Sequence, residues 1–250
     1  PGLTLLPATT PVGPGREDWG GDGGVKYSRS DQNRGAPWTV NRVFELSSGK
    51  YFMGAAHDDE RAPSFVRSCV ERLEQHPDAV LCQAHTAVCL DGREETVYIA
   101  RLDSFEDKVG VVERYRETLK RFPSTAFYGV YRSSAVRATR LWSRVIASDL
   151  AFIQELSIHG RFIQVPEVLF RYPTRESWNT IDQDAHHFLG RAKPWWYIPF
   201  VVLFLNHSRR VADSSISLLL KLRLWRVLAL HALRQTAFKT LLTIDGRLCP

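Results

Sequence analysis

The sequence predicts an α/β chain, a mixed sheet flanked by helices, followed by a C-terminal amphipathic helical segment. Three observations carry this. An apolar run, Tyr51 to Ala56, is as long as one buried strand and stops at the acidic pair Asp58-Asp59. On both sides of it, strand-like runs alternate with helix-like ones, the pattern that builds a sheet covered by helices. From Lys193 onward the composition changes to Leu and Trp interleaved with Lys and Arg.

Taken in order, residues 1–24 hold Pro and Gly at a density that breaks regular structure, and are expected to form a disordered or non-native leader. Val25–Tyr27 suits a short strand, and Asp31-Gln-Asn-Arg-Gly35 suits a turn. Trp38 to Leu46 places Val40, Val43, Phe44 and Leu46 at helical spacing before Ser47-Ser-Gly49. After the strand at 51–56 and its carboxylates, Pro63 fits the first turn of a helix with Phe65, Val66, Val70 and Leu73 on one face, ending near His76-Pro77. Ala79 to Leu90 reads as a strand, Asp91-Gly92 as a turn, and Glu95 to Ile99 as a continuation of the sheet. Lys108 to Phe122 is expected to be helical, Ala126 to Tyr131 a strand broken at Gly129, and Ser134 the start of another helix. In 147–160, Leu150, Ile153, Leu156 and Ile158 form an apolar face with Gly160 as the stop, which puts Asp149 near a helix N-terminus. Phe162 to Phe170 is expected as a pair of strands around Pro166-Glu167.

Composition narrows the function classes. The net charge of +6 is concentrated C-terminally, since residues 193–250 carry +7 and residues 1–192 carry −1. No nucleic-acid-binding motif accompanies that charge, so nucleic acid is not an expected partner. The four cysteines, Cys69, Cys82, Cys89 and Cys249, show neither C-x-x-C pairing nor metal-like spacing, which suits a reducing compartment and implies no disulfide framework. No run of 18 apolar residues is present. Basic residues beside Trp and Leu over Ser217 to Leu242 suit a helix lying in an anionic membrane interface. Packing of the same helices onto the domain core explains the pattern as well. The expected location is cytoplasmic, peripheral at the inner face of the membrane.

The order Asn33-Arg-Gly35, Asn41, Gly49-Lys-Tyr-Phe52, His57-Asp-Asp59, Ser148-Asp149, Gly160 and Val165-Pro-Glu-Val-Leu169 resembles the inverting family 2 glycosyltransferases of the GT-A fold, which is Rossmann-like. The resemblance covers roughly residues 25–175. It implies a domain at 25–192 whose N-terminal strands are missing, a leader at 1–24 and a basic helical segment at 193–250. It also implies a nucleotide-sugar donor, a sugar or lipid-linked acceptor, and Mn²⁺ or Mg²⁺. Carried over by position, Asp59 is the expected metal ligand, and Asp58 supports the metal or the donor. Asp149 is the expected catalytic base, while Asn33, Gly35 and Asn41 shape the donor site. His57 stands where many relatives have a further Asp, either as a ligand or as a strand-end histidine without that role. A turn and helix cap accounts for Asn33, Gly35 and Asn41 too, and a cap for Asp149.

The chemistry joins the two acidic sites. Sugar transfer needs the leaving diphosphate's charge stabilised, which a carboxylate-held cation does, and it needs the attacking hydroxyl deprotonated, which a second carboxylate does. The other reading is a non-catalytic fragment or binding module that retains the fold without a complete donor site. A nucleotidyltransferase on a related fold would need a Gly-rich N-terminal loop bearing Arg or Lys, which is not seen here.

Overall fold

The computed structural model describes residues 8–9, 28–56, 59–90, 95–121, 124–174 and 180–244. Its centre is β5 (Ala79–Leu90), which lies in parallel register with β8 (Arg161–Thr174) along its whole length. The other edge of β5 is shared. Its first half pairs antiparallel with β7 (Val130–Arg132) and its second half with β6 (Thr96–Ala100). The sheet is completed by β3 (Tyr51–Met53) beyond β7 and by β4 (Glu60–Arg61) beyond β8. The mixed sheet flanked by helices is therefore as the sequence predicts.

Ten of the twelve β5 residues are buried, because helices cover both faces. On one face, Phe65, Cys69 and Leu73 of α2 (Phe65–Gln75) pack on Cys82, Ala84, Ile163 and Phe170. On the other, Phe44 of α1 (Ala36–Leu46) and Phe152, Ile153 and Leu156 of α6 (Ser148–His159) pack on Leu81, Tyr131 and Phe162. Trp142 stacks on Phe152 with ring centroids 3.8 Å apart. The expected single apolar face of α6 is too narrow a description, since Gln154, Glu155 and Ser157 are buried with it.

Three elements differ from the sequence expectation. The strand at 51–56 ends at Met53, and Gly54–Ala56 turn away from the sheet. Residues 124–128 form a 3-10 turn, and only 130–132 pair as strand. Gly129 passes so close to β5 that a Cβ there would lie 2.7 Å from the Cys82 carbonyl oxygen. The expected strand pair at 162–170 is one strand carrying a bulge. Between the pairs Ala84↔Val165 and Thr86↔Phe170, β8 advances five residues against two of β5, and Pro166, which has no N–H to donate, lies in the excess. Val25–Tyr27 lies outside the described residues. Inside the expected leader, β1 (Ala8–Thr9) pairs in parallel with β2 (Ser28–Arg29).

Two C-terminal helices lie against this body. From α8 (Pro199–Asp213), Val211 packs with Leu224 and Leu228 of α9 (Leu218–Ile244) against Tyr115 of α4 (Val111–Lys120) and Ile158. A buried ion pair between Arg210 and Glu155 locks α8 to α6. Arg210 is 1 % exposed, and it also donates to the Leu141 carbonyl at 2.8 Å, Ser143 Oγ at 2.7 Å and Asn206 Oδ1 at 2.7 Å. No described helix is long and apolar enough to cross a membrane. Removing the guanidinium leaves Glu155 buried without its counter-charge, so Arg210→Ala is expected to cost about 3–5 kcal/mol in urea-unfolding stability. A loss under 1 kcal/mol would show that the pair is not what holds α8.

Candidate functional site

The loop after β3 closes on its own acidic residue. The Ala56 N–H donates to Asp59 Oδ2 at 2.8 Å, and Arg61 Nη2 reaches the same oxygen at 2.9 Å. The Asp59 side chain is only 1 % exposed. Arg61, on β4, also donates to the Gly54 carbonyl at 3.1 Å and lies over the Phe170 ring, 4.6 Å from its centroid. One guanidinium thus ties the loop, the carboxylate and the aromatic floor together. Sequence reasoning passed over Arg61, although an Asp and an Arg two residues apart in extended chain point to the same side.

Asp149 arrives from another direction. Ala147, in the left-handed region at φ 59°, turns the chain into α6 and sets Asp149 in its first turn, where exposed backbone N–H groups favour a carboxylate. Burial nevertheless raises its pKa above the usual aspartate range. Backbone hydrogen bonds from Leu150 and Asp149 itself and the nearby His187 pull it down, while Asp184 pushes it up. His187 and Asp184 belong to α7 (Ile181–Leu189). The Ile146 N–H donates to Tyr197 Oη at 2.9 Å, pinning the approach to this turn.

Tyr128 is buried within the electrostatic influence of both carboxylates. Burial is the main cause of its strongly raised pKa, followed by its neighbour and hydrogen-bond partner Tyr172, and then by the charges of both Asp59 and Asp149. The rings of Tyr128 and Tyr172 are 5.2 Å apart. Two acidic residues ninety positions apart in sequence thus both raise the pKa of one phenol.

The expected donor-site residues are engaged within the chain. Asn33 Oδ1 accepts from the Gly35 N–H at 3.0 Å, closing the turn before α1. Gly35 has φ +82°, and a Cβ on it would meet the Phe188 carbonyl oxygen at 2.5 Å. Gly190, at φ +67°, meets the same turn from the opposite side. Asn41 uses both ends of its amide on the backbone of Trp142, donating at 2.8 Å and accepting at 3.0 Å. It thereby couples α1 to the segment leading to Asp149. His57 and Asp58 lie outside the described residues.

Among the described residues no three His, Cys, Asp or Glu side chains gather as metal ligands. Asp59 Oδ2 is held by a backbone N–H and a guanidinium, which already matches its charge. On their own the described residues do not fit a divalent cation.

Residues 16–137 match the family described as Glycosyl transferase family 2. No curated protein matches the chain. Among solved structures, TarS 1-349 of S. aureus superposes with a TM-score of 0.56 at 12 % identity, over 83 % of this chain and 54 % of that one. The same protein in complex with UDP gives 0.55 at 10 % identity over 81 % and 53 %, and in complex with UDP-GlcNAc 0.53 at 11 % over 81 % and 54 %. At these identities the likeness is one of fold. The chain spans about half the length of those structures.

Because Arg61 is buried against two aromatic rings, Asp59→Asn strands its charge. That variant is expected to lose about 3 kcal/mol of stability by urea titration. Arg61→Met in the same background should recover part of the loss, and an additive double mutant would exclude the coupling.

Proposed function

We propose that this chain, which through residues 16–137 belongs to glycosyl transferase family 2 and carries the GT-A fold, transfers a sugar from a nucleotide-sugar donor to a hydroxyl acceptor with inversion. What supports this most is the family 2 match, together with Asp59 tied into the loop that follows β3 at the edge of the sheet and Asp149 buried in the first turn of α6. Open α/β sheets bind ligands at such edges.

In this reading Asp149 is the base. As the acceptor oxygen attacks the anomeric carbon, its proton passes to the Asp149 carboxylate, and the bond from that carbon to the diphosphate oxygen breaks with its electron pair leaving on the nucleoside diphosphate. Attack opposite the leaving group inverts the centre. An aspartate whose pKa is raised is, in its ionised form, a stronger base than a solvated one. Asp59 and Arg61 fix the loop against which the donor lies. No step is assigned to Mn²⁺ or Mg²⁺, since such an ion would need Asp58 in addition to Asp59. The relative crystallised with UDP and UDP-GlcNAc supports a nucleoside diphosphate sugar as donor class.

Asp149→Asn should retain UDP binding by calorimetry and lose at least about a hundredfold in transfer, the scale of general-base catalysis. The acid limb of kcat/KM should lie above pH 4, because activity needs the ionised form and the native pKa is raised. Loss of UDP affinity in that variant would make Asp149 structural. UDP binding with no transfer by the parent chain would favour the binding-module reading.

The membrane expectation keeps one support and meets one limit. The inner faces of α8 and α9 are used for packing, yet Trp195 is 92 % exposed, and Trp196, Ile198, Leu218 and Leu219 are exposed beside the +7 segment. We expect the full chain to sediment with anionic liposomes at low salt and be released at 0.5 M NaCl. Equal partition with neutral vesicles would remove the electrostatic contribution.

A further inference from the structure

Between α8, α9, α4 and α6 lies a cavity of about 420 Å³, within the range of small-molecule sites. Its walls are Leu203, Phe204 and His207 from α8 and Leu228 and Ala232 from α9, and Leu150, the neighbour of Asp149, reaches it from α6. Among the described residues no Asp, Glu, Lys or Arg lines it. His207 is 6 % exposed, and its Nδ1 finds no hydrogen-bond partner among the described residues. Burial, with Arg210 and His231 nearby, lowers its pKa to about 3, so the ring is neutral. Phe200 both lines the cavity and is 46 % exposed, which makes the interior continuous with the apolar surface of Trp196, Ile198 and Val201.

We propose that this cavity binds one hydrocarbon chain of a lipid-linked acceptor, entering past Phe200 and directing the attached hydroxyl toward Asp149. The cavity itself selects the chain, its surface being mainly apolar despite Thr118, Gln154, His231 and Gln235, free of charged side chains among the described residues, and open to the surface that carries the exposed aromatics. The acceptor role rests on the transferase reading above, whereas chain binding does not. A protein this size rarely keeps such a space between packed helices, where side chains ordinarily interdigitate to crystal density.

The test is displacement of cis-parinaric acid from the full chain by n-alkanols from octanol to hexadecanol. Affinity should rise about fourfold for each methylene buried and then stop rising once the cavity is full. Ala232→Phe, which fills the cavity, should weaken dodecanol at least tenfold and bring the plateau to shorter chains. Leu203→Ala, which enlarges it, should move the plateau to longer chains, and carries the test if the first variant fails to fold. A plateau unmoved in a folded variant, or affinity indifferent to chain length, would assign the binding to the exposed surface and overturn the proposal. Chain binding as expected without sugar transfer would overturn the transferase reading and the acceptor role, and leave the cavity as a chain-binding site. Transfer to soluble acceptors with no chain-length dependence would overturn the acceptor role proposed for the cavity and leave the transferase reading standing.

Discussion

The parallel ladder between β5 and β8 is the constraint from which the rest follows. Parallel strands need both faces covered, and here α2 takes one face while α1 and α6 take the other. That arrangement brings the loop after β3, the 3-10 turn at 124–128 and the start of α6 to a common edge. The site residues come from segments far apart in sequence, and none of those segments could hold its geometry without the ladder beneath it.

Around that edge, charge is handled in two ways. Asp59 is compensated by Arg61 and Glu155 by Arg210, so both carboxylates are tethers. Among the described residues Asp149 has no such cation; it relies on backbone N–H groups and on the influence of His187, and burial still leaves its pKa raised. A carboxylate that folding makes less acidic costs stability at neutral pH, which is the usual character of a reactive group. Burial raises the pKa of Glu155 as well, so what separates Asp149 is its partners, backbone N–H groups and His187 in place of a paired guanidinium.

Local signals in the sequence were enough where the chain's own punctuation decides the element. The helix ending at His76-Pro77 and the strand from Ala79 to Leu90 emerge as expected, because Pro77 and Asp91-Gly92 bound an unbroken apolar run. The α/β class and the placement of Asp59 after a strand and of Asp149 at a helix start were legible for the same reason. What was not legible depends on contacts across long sequence separations. Asn41 meets Trp142, a hundred and one residues away, and no local pattern announces that pairing. The early end of β3 follows from Arg61 drawing on the Gly54 carbonyl. The continuity of β8 through Pro166 follows from an uninterrupted partner strand, which Pro166 and Glu167 by themselves argue against.

The bulge in β8 has a consequence for which face each side chain occupies. Ile163 and Val165 face α2, so in an uninterrupted strand the even-numbered Phe170 and Tyr172 would point the other way, toward α6. The three surplus residues reverse that parity, and Phe170 and Tyr172 join Phe65 on the α2 side, under Arg61 and against Tyr128. Loop length is normally free to drift, yet here it is restricted to odd values. Shortening the bulge by one residue would turn the aromatic floor inside out while leaving every residue of the floor unchanged, so the edge of this sheet is specified by a count as much as by composition.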